Sequence, residues 1–148
     1  MKIELQGIPP EGIILREDED PSRFNLGEPG LELNSPVHCR IQADLVGGFL
    51  LLKGELSFEV RFTCSRCLAR FTRTIFVKDF RYRLRIEDPN RPIDLTDKIR
   101  QDIILALPSK PLCSEECRGL CPICGVNLNQ GSCTCRTQQT GNPFSVLT

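Results

Sequence analysis

No run of apolar residues in this chain of 148 approaches the roughly 20 that a membrane-spanning helix needs. The opening, MKIELQGIPPEGIILREDED, lacks the basic start and apolar block of a secretory signal. Both absences point to an intracellular, cytoplasmic protein without membrane contact. Also missing are a P-loop, a G-x-G-x-x-G dinucleotide loop and a G-x-S-x-G nucleophile turn. His38 is the only histidine. Its neighbour Cys39 falls on the opposite side of a strand, so the pair cannot form a nucleophile–base dyad. The expectation is no enzyme and no small-molecule substrate. Net charge is absent too, since 19 lysines and arginines balance 19 aspartates and glutamates. The balance is uneven along the chain: residues 1–36 hold eight acids and three bases (−5), residues 61–85 one acid and eight bases (+7). A neutral protein can thus carry a basic face.

Cysteine is what the chain has in excess: nine in all, six of them between Cys113 and Cys135. In a reducing cytosol such a cluster holds metal more readily than disulfides, and an odd total fits a disulfide framework poorly. Cys121-Pro-Ile-Cys124-Gly125 has the two-residue gap that turns two thiolates toward one ion, with a glycine that lets the backbone bend beneath them. Cys133 and Cys135 form a second close pair, and GVNLNQGS between the two pairs is turn chemistry. Zinc leads; iron–sulfur lacks a C-x2-C-x2-C spacing, and disulfides or free structural thiols are the remaining readings. Upstream, Cys64 and Cys67 repeat the two-residue gap. Paired cysteines then suggest two tetrahedral sites, Cys64, Cys67, Cys113 and Cys117 in one, and Cys121, Cys124, Cys133 and Cys135 in the other. A rival partition uses Cys113 or Cys117 with Cys121 and Cys124, leaving Cys64 and Cys67 as a lone pair, so the count is one or two zinc ions per chain. A redox role for Cys64 is disfavoured by its lack of a strand-to-helix setting. Cys39 lies on an apolar alternation and reads as a buried structural thiol.

The rest reads mostly as strands. Leu50, Leu52, Leu56, Phe58, Val60 and Phe62 alternate with polar residues, as do Val37, Cys39, Ile41, Ala43 and Leu45, and Gly47-Gly48 between them signals a hairpin. Beyond Cys67, Phe71, Ile75 and Val77 occupy one parity and Phe76, Phe80, Tyr82, Leu84 and Ile86 the other, a phase slip that predicts a β-bulge near Lys78-Asp79. DLTDKIRQDIILALP predicts a helix over about 95–107, capped by Asp94 or Thr96 and stopped by Pro108, with Leu95, Ile99 and Ile103 on its buried stripe and Lys98 pairing with Asp102 outside. The fold class is α+β: an antiparallel β-sheet or partial barrel covered by one main helix, with a C-terminal cysteine-rich zinc module. The expected divisions are a β-rich main domain 1–108, a zinc-binding module 109–136 and a tail 137–148.

CSRCLARF, the helix ending DIILALPSKPLC, the cluster ECRGLCPICGVNLN with its later C-x-C, and NPFSVL together resemble the YceD family, the large ribosomal RNA subunit accumulation proteins of bacteria and plastids. The resemblance covers about residues 60–148. It implies a ribosome biogenesis factor needed for 23S rRNA accumulation, with no established enzymatic activity, and it makes zinc a brace rather than the functional centre.

The partners implied are rRNA or a large-subunit precursor, and ribosomal proteins in an adaptor reading. Arg81, Arg83 and Arg85 share one strand face at about 6.6 Å intervals, a spacing suited to phosphates, and Arg66, Arg70 and Arg73 extend the patch around the first cysteine pair. Arginine's planar fork suits phosphates and RNA edges. The bland alternative is a solvated strand face; a third is that Arg66, Arg118 and Arg136 answer the negative charge of a zinc–tetrathiolate. The acidic REDEDPSRF and the tail NPFSVLT are candidate docking segments, or a solvated loop and a segment tucked onto the body.

Overall fold

The computed structural model describes residues 1–26 and 31–135. Arg136 and the segment 137–148 lie outside the described residues. Among the described residues, seven strands and one α-helix follow one another: β1 (Lys2–Ile3), β2 (Ile13–Glu19), β3 (Glu32–Leu33), β4 (Val37–Val46), β5 (Phe49–Thr63), β6 (Arg70–Arg85), β7 (Ile93–Asp94) and α1 (Thr96–Ala106). The fold is α+β, with antiparallel pairing throughout.

β5 organises the sheet because it is long and strictly alternating. Along one edge β4 pairs with its first half and β3 with its second, while β6 runs beside it on the other edge for its whole length. β2 adds to β4, giving an open five-stranded sheet. Gly47 and Gly48 adopt φ of 57° and 79°, the left-handed pair that a two-residue hairpin requires. The bulge is where the phase slip put it: Gly54 faces Phe80 and Leu56 faces Val77, so Glu55 alone lies opposite Lys78 and Asp79. A Cβ on Gly54 would sit 2.2 Å from the Arg40 carbonyl oxygen, so β4 approaches too closely there for a side chain.

The inner face of this sheet, the Leu95, Ile99 and Ile103 stripe of α1, and Met1, Ile3, Leu5 and Phe24 form one core. Asp94 accepts hydrogen bonds from the backbone N–H and hydroxyl of Thr96 (2.9 and 2.6 Å), capping α1. Asp102 accepts instead from the Tyr82 hydroxyl at 2.9 Å, and Lys98 lies over the Tyr82 ring, so these two helix residues serve the sheet rather than each other.

Three placements depart from expectation. Phe76, grouped above by parity with Phe80, Tyr82, Leu84 and Ile86, precedes the bulge and is 64 % exposed on the outer face. Leu45 is partly exposed at the hairpin end. The acidic stretch is the end of an ordered strand: Arg16–Glu19 complete β2, and Glu19 turns inward, buried, where Arg23 donates to it at 2.7 Å. Its inward parity, shared with Ile13 and Leu15, was hidden by the density of charge around it. No described helix is long and apolar enough to cross a membrane.

Candidate metal centres and the arginine face

The eight paired cysteines converge as two groups of four, Cys64, Cys67, Cys113 and Cys117, and Cys121, Cys124, Cys133 and Cys135, each with sulfurs within 4.8 Å of one another. In the first, Cys64 and Cys117 stand 3.8 Å apart and Cys67 and Cys113 3.6 Å. A disulfide needs about 2.05 Å, whereas four thiolates about 2.3 Å from a tetrahedral ion have edges of about 3.8 Å. Each group could therefore hold a metal ion.

Both groups begin with the same loop. Cys64 N–H donates to the Ala69 carbonyl and Leu68 N–H to the Cys64 carbonyl; Cys121 N–H donates to Val126 and Gly125 N–H to Cys121, all within 2.8–3.0 Å. The residue after the second cysteine takes positive φ in each, 60° at Leu68 and 73° at Gly125. These turns aim backbone N–H groups at the first sulfur. Burial opposes a charge on Cys64, but N–H groups of Cys67, Cys113 and Arg66 outweigh it and bring the thiol down to about 6. The N–H groups of Cys124 and Ile123 do the same for Cys121, also to about 6. The partners move the other way. Cys113 is pushed up to about 12, chiefly by the facing Cys67, and Cys135 to about 12 by Cys124. Sulfurs this close cannot all ionise side by side, and a divalent cation removes that conflict.

The segment carrying Cys113 and Cys117 is tied to the first loop by more than sulfur. Ser65 N–H donates to the Pro111 carbonyl at 2.8 Å, Arg73 Nη2 to the Leu112 carbonyl at 3.0 Å and Arg66 Nη1 to the Cys117 carbonyl at 2.9 Å. Cys64, Cys67 and Cys117 are buried, with Phe71, Leu112 and Leu120 packed around them. Gly119, at φ 75°, passes so close to this loop that a Cβ would lie 3.1 Å from the Arg66 carbonyl oxygen. Asn129 was read in the sequence only as turn chemistry. Its side-chain amide donates to Cys117 Sγ at 3.3 Å and its oxygen accepts from Arg118 N–H at 2.8 Å, and the amide offsets the burial that opposes ionisation, holding Cys117 below its ordinary value. In the second group Cys124 is exposed and Cys133 and Cys135 are half-buried.

The arginines divide. Arg66 and Arg73 spend donors on carbonyls of the cysteine segment. Arg70 is exposed at the start of β6. Arg81, Arg83 and Arg85 are exposed along β6, opposite Lys53, Leu51 and Phe49. Arg83 stacks on Phe49 at 3.9 Å, and Arg81 lies 3.1 Å from Asp79. Elsewhere, Cys39 is buried and pushed up to about 12 by desolvation, while His38 faces outward beside Asp18.

Residues 52–148 match the family model described as Large ribosomal RNA subunit accumulation protein YceD. A maize protein named Large ribosomal RNA subunit accumulation protein YCED homolog 1, chloroplastic, is 39% identical over 59 residues, 39% of this chain and 20% of its own length. Its Arabidopsis thaliana namesake is 28% identical over 69 residues, 47% of this chain and 22% of its own length. An uncharacterized protein of Mycobacterium tuberculosis is 27% identical over 122 residues, 73% of this chain and 59% of its own length. The chain thus spans about a fifth of the plant relatives and three-fifths of the mycobacterial one. No solved structure matches the chain.

Proposed function

The chain belongs to the YceD family, and on that premise we propose that it is a non-enzymatic factor in large-subunit ribosome biogenesis, supporting accumulation of 23S rRNA by binding the RNA or its precursor particle. The observation that carries the reading is the row Arg81, Arg83 and Arg85, exposed at alternate positions of β6 on the face away from α1. Rows of guanidinium groups meet phosphates with paired hydrogen bonds. Zinc is the ion we assign to both cysteine groups, since four thiolates at these separations form a closed tetrahedral site with no open position for catalysis. Its role is to make a core-poor segment a rigid part of the body that presents β6.

Replacing Arg81, Arg83 and Arg85 together by glutamine is expected to lower affinity for rRNA and reduce the slope of log affinity against log salt by about one for each lost phosphate contact. The control replaces Arg66 and Arg73, whose donors serve carbonyls, and is expected to loosen the cysteine segment instead. Unchanged RNA binding in the triple variant rejects the reading.

A further inference from the structure

The outer face of the sheet carries a hollow of about 560 Å³, within the range of small-ligand sites. It has a defined shape because three residues form a row across three strands: His38 on β4 pairs with Ser57 on β5, and Ser57 with Phe76 on β6. Two rings flank one small side chain. Two strand spacings separate their backbones by roughly 10 Å, wide enough to admit a planar ring between the two side chains. Phe76 is 64 % exposed, which an apolar ring on a polar face gains nothing from in isolation.

Charge in the hollow is balanced, and this selects the ligand. Asp18 is engaged by His38 Nδ1 at 2.6 Å and Glu55 by Arg40 at 3.2 Å. Arg16, Glu17 and Lys78 also line it. An uncharged aromatic group fits such a place better than a phosphate does. The strand leading away is the opposite: beyond Phe76, β6 continues through Lys78, Arg81, Arg83 and Arg85, with Asp79 as its one acid. A second hollow lined by Arg40, Lys53 and Lys78 joins the two stretches.

Resting on the RNA-binding reading above, we infer that this slot is a base-stacking site for single-stranded RNA, with one unpaired base held between Phe76 and His38 and the following phosphates laid along the β6 cations. Protein–RNA recognition commonly takes this form, with aromatic side chains stacking splayed bases and arginines holding the backbone.

The test measures binding of the full chain to a fluorescently labelled, unstructured oligouridylate across a salt series, and to the same ribose-phosphate chain made abasic. Phe76→Ala is expected to weaken binding to the oligouridylate roughly five- to hundredfold, the range for losing one base–aromatic stack, with the salt slope kept. Binding to the abasic chain is expected to stay unchanged. Phe76→Tyr restores binding; Phe76→Leu, apolar but without a ring, does not. Because Phe76 is exposed, circular dichroism and zinc content are expected to match the parent protein in every variant. If the β6 arginine variant loses affinity while Phe76→Ala does not, the slot is overturned and the arginine reading stands. Full rescue by Phe76→Leu, or capture of a ribosomal protein that RNase leaves intact and Phe76→Ala abolishes, overturns the stacking assignment in favour of an apolar protein contact. If neither variant changes RNA affinity, both readings fall.

Discussion

The two cysteine loops share a backbone but not a setting. Each makes the same pair of hydrogen bonds, turns through positive φ after its second cysteine and lowers its first thiol to about 6. The first is built on the bend between β5 and β6, and its other two sulfurs arrive from a segment more than 40 residues away, Cys113 following Cys67 by 46 residues. The second draws all four from within Cys121–Cys135 and leaves Cys124 exposed. The difference teaches that the local hydrogen bonds decide where a thiolate is stabilised, whereas the partners decide what an ion there would hold together. At the first site it joins the 111–117 segment to the sheet; at the second it closes one small loop.

Removing one site at a time is the most forceful way to break this comparison. A structural zinc contributes on the order of 10 kcal/mol to whatever folds around it. The Cys64→Ser, Cys67→Ser double variant is expected to lose one zinc of two and to release the 111–117 segment, with amide exchange rising at Ser65 and Cys117, whose N–H groups are bonded in the intact site. The main unfolding transition should fall with it, because Phe71 and Leu112 cover the site. The Cys133→Ser, Cys135→Ser variant should also lose one zinc, yet raise exchange only at local amides such as Cys121 and Gly125. Equal losses of global stability would erase the distinction.

Much of the first site was legible because it is written in spacing: a two-residue gap between cysteines fixes a loop almost independently of context. Strand alternation likewise gave β4, β5, the hairpin and the bulge. Phe76 was misplaced because a phase slip read from parity has no sharp position, and residues beside the bulge can be assigned to either side. β1 and β7 have two residues each, too few for any period, and exist only because Lys2 and Ile3 meet Asp94 and Ile93 across the core. Asn129 was opaque for another reason: its sulfur partner lies 12 residues away across a turn, and side-chain pairing over such a gap leaves no pattern in sequence.

The thiols sharpen the comparison through pH. In metal-free protein Cys64 and Cys121, both lowered from about 9 to about 6, favour the fold fully above pH 9 and lose that contribution as pH falls toward 6. Cys113 and Cys135, raised to about 12, act oppositely, favouring the fold below pH 9 and losing that contribution as pH rises toward 12. Denaturant titrations of metal-free protein are therefore expected to show greatest stability near pH 9, with both groups contributing alike. Kinetics should separate them. A chelator added to zinc-loaded protein is expected to remove one ion quickly, through exposed Cys124, and the second slowly, since Cys64, Cys67 and Cys117 are buried. A single-phase release of both ions would contradict this.

Gly119 couples the two sites, lying between Cys117 of one and Cys121 of the other, with its carbonyl accepting from Leu128 N–H at 2.9 Å. Gly119→Ala adds a side chain at φ 75° and 3.1 Å from the Arg66 carbonyl oxygen, and is expected to cost about 1–2 kcal/mol for the left-handed conformation alone. The cost should appear in global unfolding when both zincs are bound. It should shrink in the Cys64→Ser, Cys67→Ser background, where the segment is already free.

The smallest expected effect bears most directly on the shared loop. At the position where Gly125 turns at no steric cost, the first loop has Leu68, 63 % exposed and at φ 60°. An L-residue there stands about 1–2 kcal/mol above its preferred backbone, while a glycine gives back part of that difference through the greater freedom of its unfolded chain. Leu68→Gly is thus expected to stabilise the protein by about 0.5–1 kcal/mol, read as a small rise in denaturant midpoint at unchanged m-value. Gly125→Leu should lose a similar amount locally, without moving the main transition. If Leu68→Gly instead destabilises, the exposed side chain has a contact that outweighs its strain, and the two loops are not equivalent even in their backbones.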